Sequence, residues 1–462
     1  MEIFDESRIE YIAILMMGSG GANHRTQLGE GCQTTSSNCL TAGSPPQKNA
    51  MHRITLPRID MPLITAIRTL RLPERPKLVW VEIDTDDGRT GLGESFRGAQ
   101  AIETVIHDEI APQLLGTDAA HVTAISSRLL ANYVGFNSSG AETRAASAVD
   151  IALWDLAAQR AGVPLAVALG GRARERVRVY NTCAGYDFNT ANGGRRSIGA
   201  HDTSAGPYDD QIAFMRDAGA LAESLLAEGY AAMKIWPFDD FAVRDPHHIS
   251  LADLKTGLEP FRHIRQAVGD RIEIMCELHS LWSTRAAARI CDALADIGVL
   301  WVEDPITKMD NVAAVANLRR QTRAPICGGE NLAGATRFRD MLAADALDVV
   351  MLDLTWCGGL SEARKIATLA ETWAKPLAPH DCTGPVSLMA GLQLSLHAPT
   401  AIFQEVVRAS LASWYPTIVD RLPRIVDGHA LTPADAGLGT ALRPEVWQRP
   451  GAIVRTSGQP ER

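Results

Sequence analysis

The sequence contains no apolar run that approaches the roughly 18 residues of a membrane-spanning helix, so no transmembrane segment is predicted. It also has no basic stripe, and its net charge of −9 makes nucleic acid an unfavourable partner. The eight cysteines are scattered, without the paired spacing of a metal site. We therefore expect reduced thiols and a cytoplasmic protein. The short apolar run YIAILMM at 11–17 follows an acidic stretch, which is wrong for a signal peptide.

The composition is that of a globular protein, with 46% hydrophobic and 6% aromatic residues. A chain of 462 residues is too long for one ordinary core, which predicts two domains. Residues 1–52 are rich in Gly, Ser, Thr and Asn and lack periodicity, which predicts a disordered N-terminal extension. Strand and helix patterns then predict one domain over 53–175 and an alternating domain over 176–410. The remaining segment, 411–462, is expected to return to the first domain.

Three carboxylates each stand at the end of an apolar, strand-like run: Glu277 in EIMCELH, Glu303 in VLWVEDP and Glu330 in APICGGE. They recur about every 26 residues, the length of one strand, one helix and two short loops. If the strands are neighbours in a parallel barrel, the three side chains converge at one rim. Converging carboxylates repel each other unless a cation lies between them, and oxygen ligands of this kind suit Mg²⁺.

The same period continues along the chain in both directions. Asp353 ends LDVVMLD, His380 ends PLAPH and Glu405 ends AIFQE. Upstream, Lys234 lies in AAMKIW, and VRVYNTC at 177–183 supplies one more strand. Eight apolar runs that alternate with helical patterns predict a (β/α)₈ barrel, whose chemistry sits at the C-terminal strand ends. A doubly wound open sheet is the alternative, but such a sheet concentrates its ligands at one crevice.

The motifs SAVDIALWDLAAQRAGVPLAVALGG, VEDP and GGEN, together with Asp353, His380 and Glu405, resemble the enolase superfamily in its mandelate racemase/muconate lactonizing subgroup. The resemblance covers the chain from about residue 60 to about residue 450. It implies an α/β fold in which an α+β capping domain lies over a modified (β/α)₈ TIM barrel.

The resemblance also implies roles for the residues at the strand ends. Mg²⁺ would be held by Glu277, Glu303 and Glu330. A general base would lie at His380 and be oriented by Asp353, while Glu405 would hydrogen-bond the substrate carboxylate or the intermediate. Removing a proton next to a carboxylate builds an enediolate, and a bound divalent cation stabilises that charge where it develops.

Two departures from related sequences indicate which reaction is catalysed. Many relatives carry Lys-x-Lys on the second strand, whereas here Lys234 is followed by Trp236, which cannot accept a proton. A two-base racemase is therefore disfavoured, and Lys234 is expected to balance the charge of the metal ligands. On the third strand His279 lies two residues after Glu277, so strand alternation places both on one face. An imidazolium there could protonate a leaving hydroxide, as the resemblance to galactonate dehydratase-like acid-sugar dehydratases implies.

Each of these residues also has a purely structural interpretation. A single strand-end carboxylate can be a rim charge or a helix N-cap, and Lys234 can be an ion-pair partner at the rim. His380 alone could be a satisfied structural histidine, and His279 could contact a carboxylate as a neutral donor. The three carboxylates in register with VEDP and GGEN favour the functional interpretation.

The sequence thus predicts a lyase, a Mg²⁺-dependent dehydratase of sugar acids (aldonates or aldarates). It would abstract the C2 proton through a metal-stabilised enediolate and eliminate the C3 hydroxyl, giving a 2-keto-3-deoxy acid. A cycloisomerase or lactone isomerase acting on a sugar acid, or a catalytically silent metal-binding homologue, is the alternative. We expect a small-molecule sugar-acid substrate, no nucleic-acid or membrane partner, and a homo-oligomer. Capping-domain segments 71–77 and 95–100, together with the loop after Tyr186, are expected to set specificity, with Arg75, Lys77 and Arg97 as candidates to meet distal hydroxyls or a second carboxylate.

Overall fold

The computed structural model describes residues 62–131, 139–186, 188, 190 and 208–459. The predicted disorder of residues 1–52 lies outside this part of the chain. Within it, the strands are β1 (Ile64–Arg71), β2 (Leu78–Thr85), β3 (Thr90–Phe96), β4 (Arg176–Thr182), β5 (Ala232–Ile235), β6 (Glu273–Glu277), β7 (Trp301–Glu303), β8 (Ile326–Gly328), β9 (Val349–Val350), β10 (Gln404–Val406), β11 (Ile425–Val426), β12 (His429–Leu431) and β13 (Ile453–Gly458).

The α-helices of the same part of the chain are α1 (Ala99–Val105), α2 (Ala111–Leu114), α3 (Val122–Leu130), α4 (Ala141–Ala161), α5 (Leu165–Ala168), α6 (Asp210–Arg216), α7 (Ala218–Ala227), α8 (Asp239–Arg244), α9 (Leu251–Val268), α10 (Thr284–Ala295), α11 (Val312–Gln321), α12 (Ala335–Ala343), α13 (Gly359–Thr372), α14 (Pro385–His397), α15 (Arg408–Ala412) and α16 (Tyr415–Ile418). A π-helical turn covers Ile106–Ile110, and a 3₁₀ helix covers Pro444–Gln448. None of these described helices combines the length and the apolar character that crossing a membrane requires.

The capping domain is built on an antiparallel sheet with the strand order β13-β1-β2-β3. The C-terminal strand β13 pairs with β1, so the two ends of the described chain meet in one sheet. Every residue of β2 is buried, because the sheet is covered by helices that include the long helix α4.

Two glycines of β3 allow α4 to lie directly on this sheet. A Cβ atom on Gly93 would overlap the backbone carbonyl oxygen of Ala148, and one on Gly91 would overlap that of Ala152. Both neighbours belong to helix backbone, which cannot rotate aside as a flexible side chain can. The close approach of α4 therefore depends on the absence of side chains at these two positions.

Replacing Gly93 with alanine is expected to lower the free energy of unfolding by about 3 kcal/mol, because the helix must move off the sheet. Chemical unfolding followed by circular dichroism measures the change. Gly88 provides the control, because it has a φ of 77° and no neighbouring atom within 4 Å of the point that a Cβ atom would occupy. Gly88→Asn should be nearly neutral, since asparagine tolerates this conformation. Equal stability of both variants would contradict the close packing.

The second sheet contains strands β4 to β9, which pair in parallel and in chain order. Strand β10 returns to pair in parallel with β4, and the short hairpin β11–β12 adds to the beginning of β4. Alternation of these strands with helices is the arrangement predicted from the sequence, a modified (β/α) barrel under a capping domain.

The seventh predicted strand, PLAPH, is not a regular strand. Leu377 forms isolated parallel bridges to Val350 and to Ala401, and these bridges lead from β9 toward β10. Pro376 and Pro379 flank it, and proline lacks the N–H group that a ladder requires. In the described residues the barrel is therefore not closed by a continuous ladder of regular strands.

Side chains fill the interior of the barrel below the strand ends. The rings of Tyr180, Trp301 and Phe403 meet nearly edge to face, with centroids 5.6 to 6.1 Å apart. All three rings are almost fully buried. Aromatic pairs favour this geometry, and the packed interior leaves the polar strand-end residues at the rim.

A buried carboxylate joins the capping sheet to the barrel. Glu94, on β3, accepts hydrogen bonds from the indole Nε1 of Trp80 at 2.7 Å and from the backbone N–H of Ser387 at 3.0 Å. Burial raises the pKa of Glu94 to about 8. Ser387 lies in the first turn of α14, whose free N–H groups need acceptors. Glu94 thus fixes the start of the helix that follows His380.

Candidate metal centre and catalytic residues

The three predicted metal ligands meet at the ends of adjacent strands. β6 ends at Glu277 and β7 ends at Glu303, and the two residues are paired in register. Glu330 follows β8 after Gly329, whose φ of 116° turns the chain. One carboxylate oxygen from each of the three glutamates lies within 4.8 Å of the others. A set of three carboxylate oxygens at this separation fits a hard divalent cation.

The three carboxylates lie close together and are largely shielded from water, so a positive charge among them would stabilise their ionised forms. Burial raises the pKa of Glu277 to about 7. Burial and the neighbouring charge of Glu277 raise the pKa of Glu303 well above its usual range. Burial would also raise the pKa of Glu330, but the charge and the hydrogen bond of His380 outweigh it and hold that pKa low. A cation among these oxygens would favour the ionised form of all three.

Lys234 contacts these carboxylates from the neighbouring strand β5. Its Nζ atom forms an ion pair with Glu303, and lies 3.0 Å from Oε1 of Glu405 and 3.5 Å from Oε2 of Glu277. Burial lowers the pKa of Lys234, but the charges of Glu303 and Glu405 outweigh that effect and raise this pKa well above its usual range. The ammonium is therefore a fixed positive charge that balances the buried carboxylates.

The imidazole of His380 lies between two carboxylates. Its Nδ1 atom is 2.8 Å from Oδ2 of Asp353, and its Nε2 atom is 3.0 Å from Oε2 of Glu330. The other oxygen of Asp353 accepts hydrogen bonds from Thr355, from the backbone N–H at 2.7 Å and from the hydroxyl at 2.6 Å. Asp353 is thus fixed at both oxygens, and it orients the imidazole so that Nε2 faces the glutamate cluster.

The pKa of His380 follows from the same neighbours. Burial lowers it, but the charges of Glu330 and Glu405 and the hydrogen bonds that the imidazole donates to Asp353 and Glu330 hold it well above the usual range. Any positive charge that neutralises Glu330 removes part of this attraction and lowers the pKa of His380. This shift is toward the neutral imidazole that a base requires.

Glu405 closes the cluster from the last strand, β10. Its Oε1 atom contacts Lys234 and the hydroxyl of Thr182, and its Oε2 atom accepts a hydrogen bond from the backbone N–H of Asp381 at 2.8 Å. Burial raises the pKa of Glu405, but the charges of Lys234 and His380 outweigh it and lower that pKa. Glu405 is therefore an ionised acceptor within the same cluster.

His279 lies beside the cluster, but the premise that placed it there is wrong. β6 ends at Glu277, and His279 has a φ of 50°, so strand alternation no longer applies. Its backbone N–H instead donates to Oε1 of Glu277 at 2.6 Å. Its imidazole lies 5.6 Å from the ring of Trp236, and its Nδ1 atom is 2.8 Å from Oδ2 of Asp239, without hydrogen-bond alignment. The imidazole remains partly exposed beside the carboxylate cluster.

Sequence reasoning missed four residues that support the site. Thr182 and Thr355 hold carboxylates of the cluster, as described above, and Asp239 accompanies His279. Oδ1 of Asp304 accepts a hydrogen bond from the backbone N–H of Gly329 at 3.1 Å, which holds the turn that presents Glu330. The aspartate of VEDP and the Asp-x-Thr pattern after β9 are visible in the sequence. Nothing local indicates that Asp239, in a polar insertion, lies near the third strand.

The capping-domain cations lie in different environments. The guanidinium of Arg97 is 5.4 Å from the centre of the Trp356 ring, and that ring is 5.4 Å from the imidazole of His380. Arg144, at the start of α4, lies over the same ring at 4.6 Å. Arg75 stacks on Trp414 at 4.1 Å instead. Arg97 and Arg144 therefore lie on the same side of the molecule as His380.

Comparison with known proteins identifies similar sequences over both parts of the chain. Residues 50–170 match the mandelate racemase/muconate lactonizing enzyme N-terminal domain, and residues 217–446 match the enolase C-terminal domain-like family. A D-galactonate dehydratase of Ralstonia nicotianae is 30% identical to this chain, and the alignment covers 74% of this chain and 81% of the relative's length. A D-xylonate dehydratase of Haloferax volcanii is 29% identical over 82% of this chain and 86% of its own.

Solved structures of enolase proteins are also similar to this chain. A crystal structure of an enolase protein from environmental sequencing of the Sargasso Sea is 68% identical, with a TM-score of 0.78 over 87% of this chain and 100% of its own. An enolase of the mandelate racemase subgroup from Agrobacterium tumefaciens is 43% identical, with a TM-score of 0.76 over 86% of this chain and 99% of its own.

Proposed function

The chain belongs to the mandelate racemase/muconate lactonizing enzyme family of the enolase superfamily, and from this membership we propose that it is a lyase, a Mg²⁺-dependent dehydratase of sugar acids. Relatives named as dehydratases of galactonate, xylonate, gluconate and arabinonate support the substrate class. The observation that carries the proposal is the orientation of His380, whose Nδ1 is bound to Asp353 while Nε2 faces the three glutamates.

In the proposed reaction, Nε2 of His380 takes the proton from C2 of the sugar acid. Asp353 accepts the hydrogen bond of Nδ1–H, so the unprotonated nitrogen is the one that faces the substrate. Mg²⁺ held by Glu277, Glu303 and Glu330 would stabilise the negative charge that develops on the substrate carboxylate.

Elimination of the C3 hydroxyl completes the reaction. The electron pair left at C2 forms the double bond to C3, and the C3–O bond breaks as His279 gives a proton to the departing oxygen, so that water leaves. The resulting enol takes a proton at C3 and becomes a 2-keto-3-deoxy acid. Lys234 and Glu405 stay charged throughout. The ammonium attracts the carboxylate end of the substrate, and Glu405 accepts a hydrogen bond from the protonated intermediate.

The position of Trp236 favours elimination over racemisation. This side chain lies directly after the second barrel strand, β5, and is almost fully buried, in edge contact with Phe214 and with His279. Its indole has no basic nitrogen, so it cannot deliver or remove a proton on the face opposite His380. The proposal is tested by incubating the protein and Mg²⁺ with a library of acid sugars and measuring 2-keto acid formation. Absence of product from every sugar acid would refute it.

His279→Asn separates elimination from proton abstraction. The variant is expected to lose dehydration by about 100-fold or more, the usual contribution of a general acid. It should retain exchange of the C2 proton with solvent deuterium, because that half-reaction needs His380 and not His279. Proton NMR in deuterium oxide measures exchange, and 2-keto acid formation measures dehydration.

His248→Asn is the matched control, because His248 is exposed in the polar segment that follows α8. That variant should retain both activities. Normal dehydration by His279→Asn would exclude the proposed acid and favour a cycloisomerase. Loss of exchange together with dehydration would assign His279 to substrate binding instead.

The affinity for Mg²⁺ is expected to depend on pH through the ligands themselves. Because the pKa of Glu277 is raised to about 7, a proton competes with the cation below that pH. Affinity should fall about tenfold per pH unit below about 7 for each proton displaced. Isothermal titration of Mg²⁺ at several pH values measures this. The same affinity at acidic and alkaline pH would contradict the raised pKa.

A further inference from the structure

A cavity of about 260 Å³ opens at the barrel rim beside the glutamate cluster. Its lining comes from the loops that follow β6, β7 and β8 and from the start of α12, with Ser139 of the capping domain on the other side. The volume is just below the roughly 300–1,000 Å³ of sites for drug-sized ligands, so it suits a small molecule or one end of a larger one.

Two cations line this cavity without a partner in the part of the chain that the structure describes. Lys308 follows β7 and Arg337 lies on α12, and neither forms an ion pair or a side-chain hydrogen bond with a described residue. The lining carboxylate, Asp310, is not within ion-pair distance of either. Arg339, two residues further along α12, is paired with Asp340. Lys308 and Arg337 therefore share one concave wall, where both are free to bind an anion.

The other polar groups of the cavity donate or accept hydrogen bonds and connect it to the metal centre. Ser139, Ser280 and Asn331 supply two hydroxyls and an amide. The Nδ2 atom of Asn331 donates to Oε1 of Glu330 at 2.8 Å. The hydroxyl of Ser280 lies 3.3 Å from Oδ2 of Asp304, the residue that holds the turn before Glu330. The cavity thus shares a wall with a proposed metal ligand.

We propose that this cavity is a subsite for a small oxyanion, bound by Lys308 and Arg337. A guanidinium and an ammonium on one wall, with neutral donors beside them, match the oxygens of a carboxylate or a phosphate. Two sources have this chemistry: the second carboxylate of a dicarboxylic sugar acid, or a free anion such as phosphate. The first source rests on the proposed function, whereas binding of a free anion does not.

The test begins with inorganic phosphate as the probe. Isothermal titration compares the full-length protein, dialysed free of divalent cations, with the double variant Lys308→Met/Arg337→Met. Loss of two charged partners is expected to weaken phosphate binding at least about tenfold. Arg339→Met removes a cation from the same helix and should leave binding unchanged. Thermal unfolding of each variant shows that the fold is retained.

The second arm identifies the source of the oxyanion. The affinity for galactarate, a dicarboxylate, is compared with that for galactonate, its monocarboxylate counterpart, in both proteins. A preference for the dicarboxylate that disappears in the double variant assigns the subsite to the second carboxylate of the ligand. A preference that is absent, or unchanged in the double variant, assigns it to a free anion.

Either assignment requires the loss of phosphate affinity in the double variant. Equal phosphate affinity in wild type and double variant, or no phosphate binding by the wild type, overturns the proposal. The binding measurements need no turnover. A failure of the dehydratase proposal would therefore appear as absent 2-keto acid formation, with phosphate binding and its loss in the variant unaffected.

Discussion

His380→Asn is expected to abolish both dehydration and exchange of the C2 proton with solvent. Asparagine preserves polarity and approximate size, but it cannot take up a proton. General-base catalysis contributes roughly 10²- to 10⁴-fold, so residual turnover should be about 1% or less. Proton NMR in deuterium oxide measures exchange, and kcat/KM for 2-keto acid formation measures dehydration. Loss of both would place His380 at the first chemical step.

Two further variants make this result specific. Asp353→Asn keeps the imidazole but removes the carboxylate that accepts from its Nδ1 atom at 2.8 Å. Turnover should fall because the wrong nitrogen is then protonated, while substrate affinity should change little. His248→Asn should remain fully active.

Mg²⁺ affinity should persist in His380→Asn. If C2 exchange continued in that variant, the base would lie elsewhere, with Lys234 the first residue to test.

Glu303→Gln is expected to reduce turnover by on the order of 10³-fold, because a bound cation contributes several kcal/mol of charge stabilisation. The substitution removes one anionic oxygen and leaves a side chain of nearly the same size. Glu303 is fully buried and forms an ion pair with Lys234. The change therefore also leaves the ammonium with less compensation. Isothermal titration should show weakened Mg²⁺ binding in the variant.

Glu273→Gln is the matched control, since Glu273 lies at the opposite end of β6 from Glu277. It should bind Mg²⁺ and turn over substrate as the wild type does. EDTA should reproduce the Glu303→Gln defect in wild-type protein, and added Mg²⁺ should reverse it. Undiminished turnover in EDTA would rule out a metal requirement and with it the assignment of the three glutamates.

The strand-end carboxylates illustrate what the sequence could predict. Glu277 and Glu303 each end a short apolar run. The regular spacing of such runs along the sequence predicted that they are neighbouring parallel strands. The structure pairs them in register, and it brings Glu330 and Lys234 to the same cluster. This prediction succeeded because the repeat of a (β/α) unit converts sequence spacing into position around a barrel.

Features that depend on tertiary geometry were missed or misjudged. The seventh strand was predicted from an apolar run, but Pro376 and Pro379 reduce it to bridges at Leu377. His279 was placed by strand alternation, although the chain leaves the strand at Glu277 and takes a left-handed turn. Asp239 comes from a separate helix, and no local pattern relates it to His279. The first two cases required knowing where a strand ends, and the third required knowing which helix packs beside it; apolar periodicity specifies neither.

Trp301, described above as part of the packed barrel interior, also gives the metal centre an optical readout. Its indole Nε1 donates to Oε2 of Glu303 at 3.0 Å, so the charge on that carboxylate acts directly on the ring. Indole fluorescence responds to nearby charge, and the ring is completely shielded from water. Cation binding and protonation at Glu303 can thus be followed through the emission of Trp301, without a substrate or an attached dye. Trp301→Phe distinguishes this contribution from that of the other tryptophans in the chain.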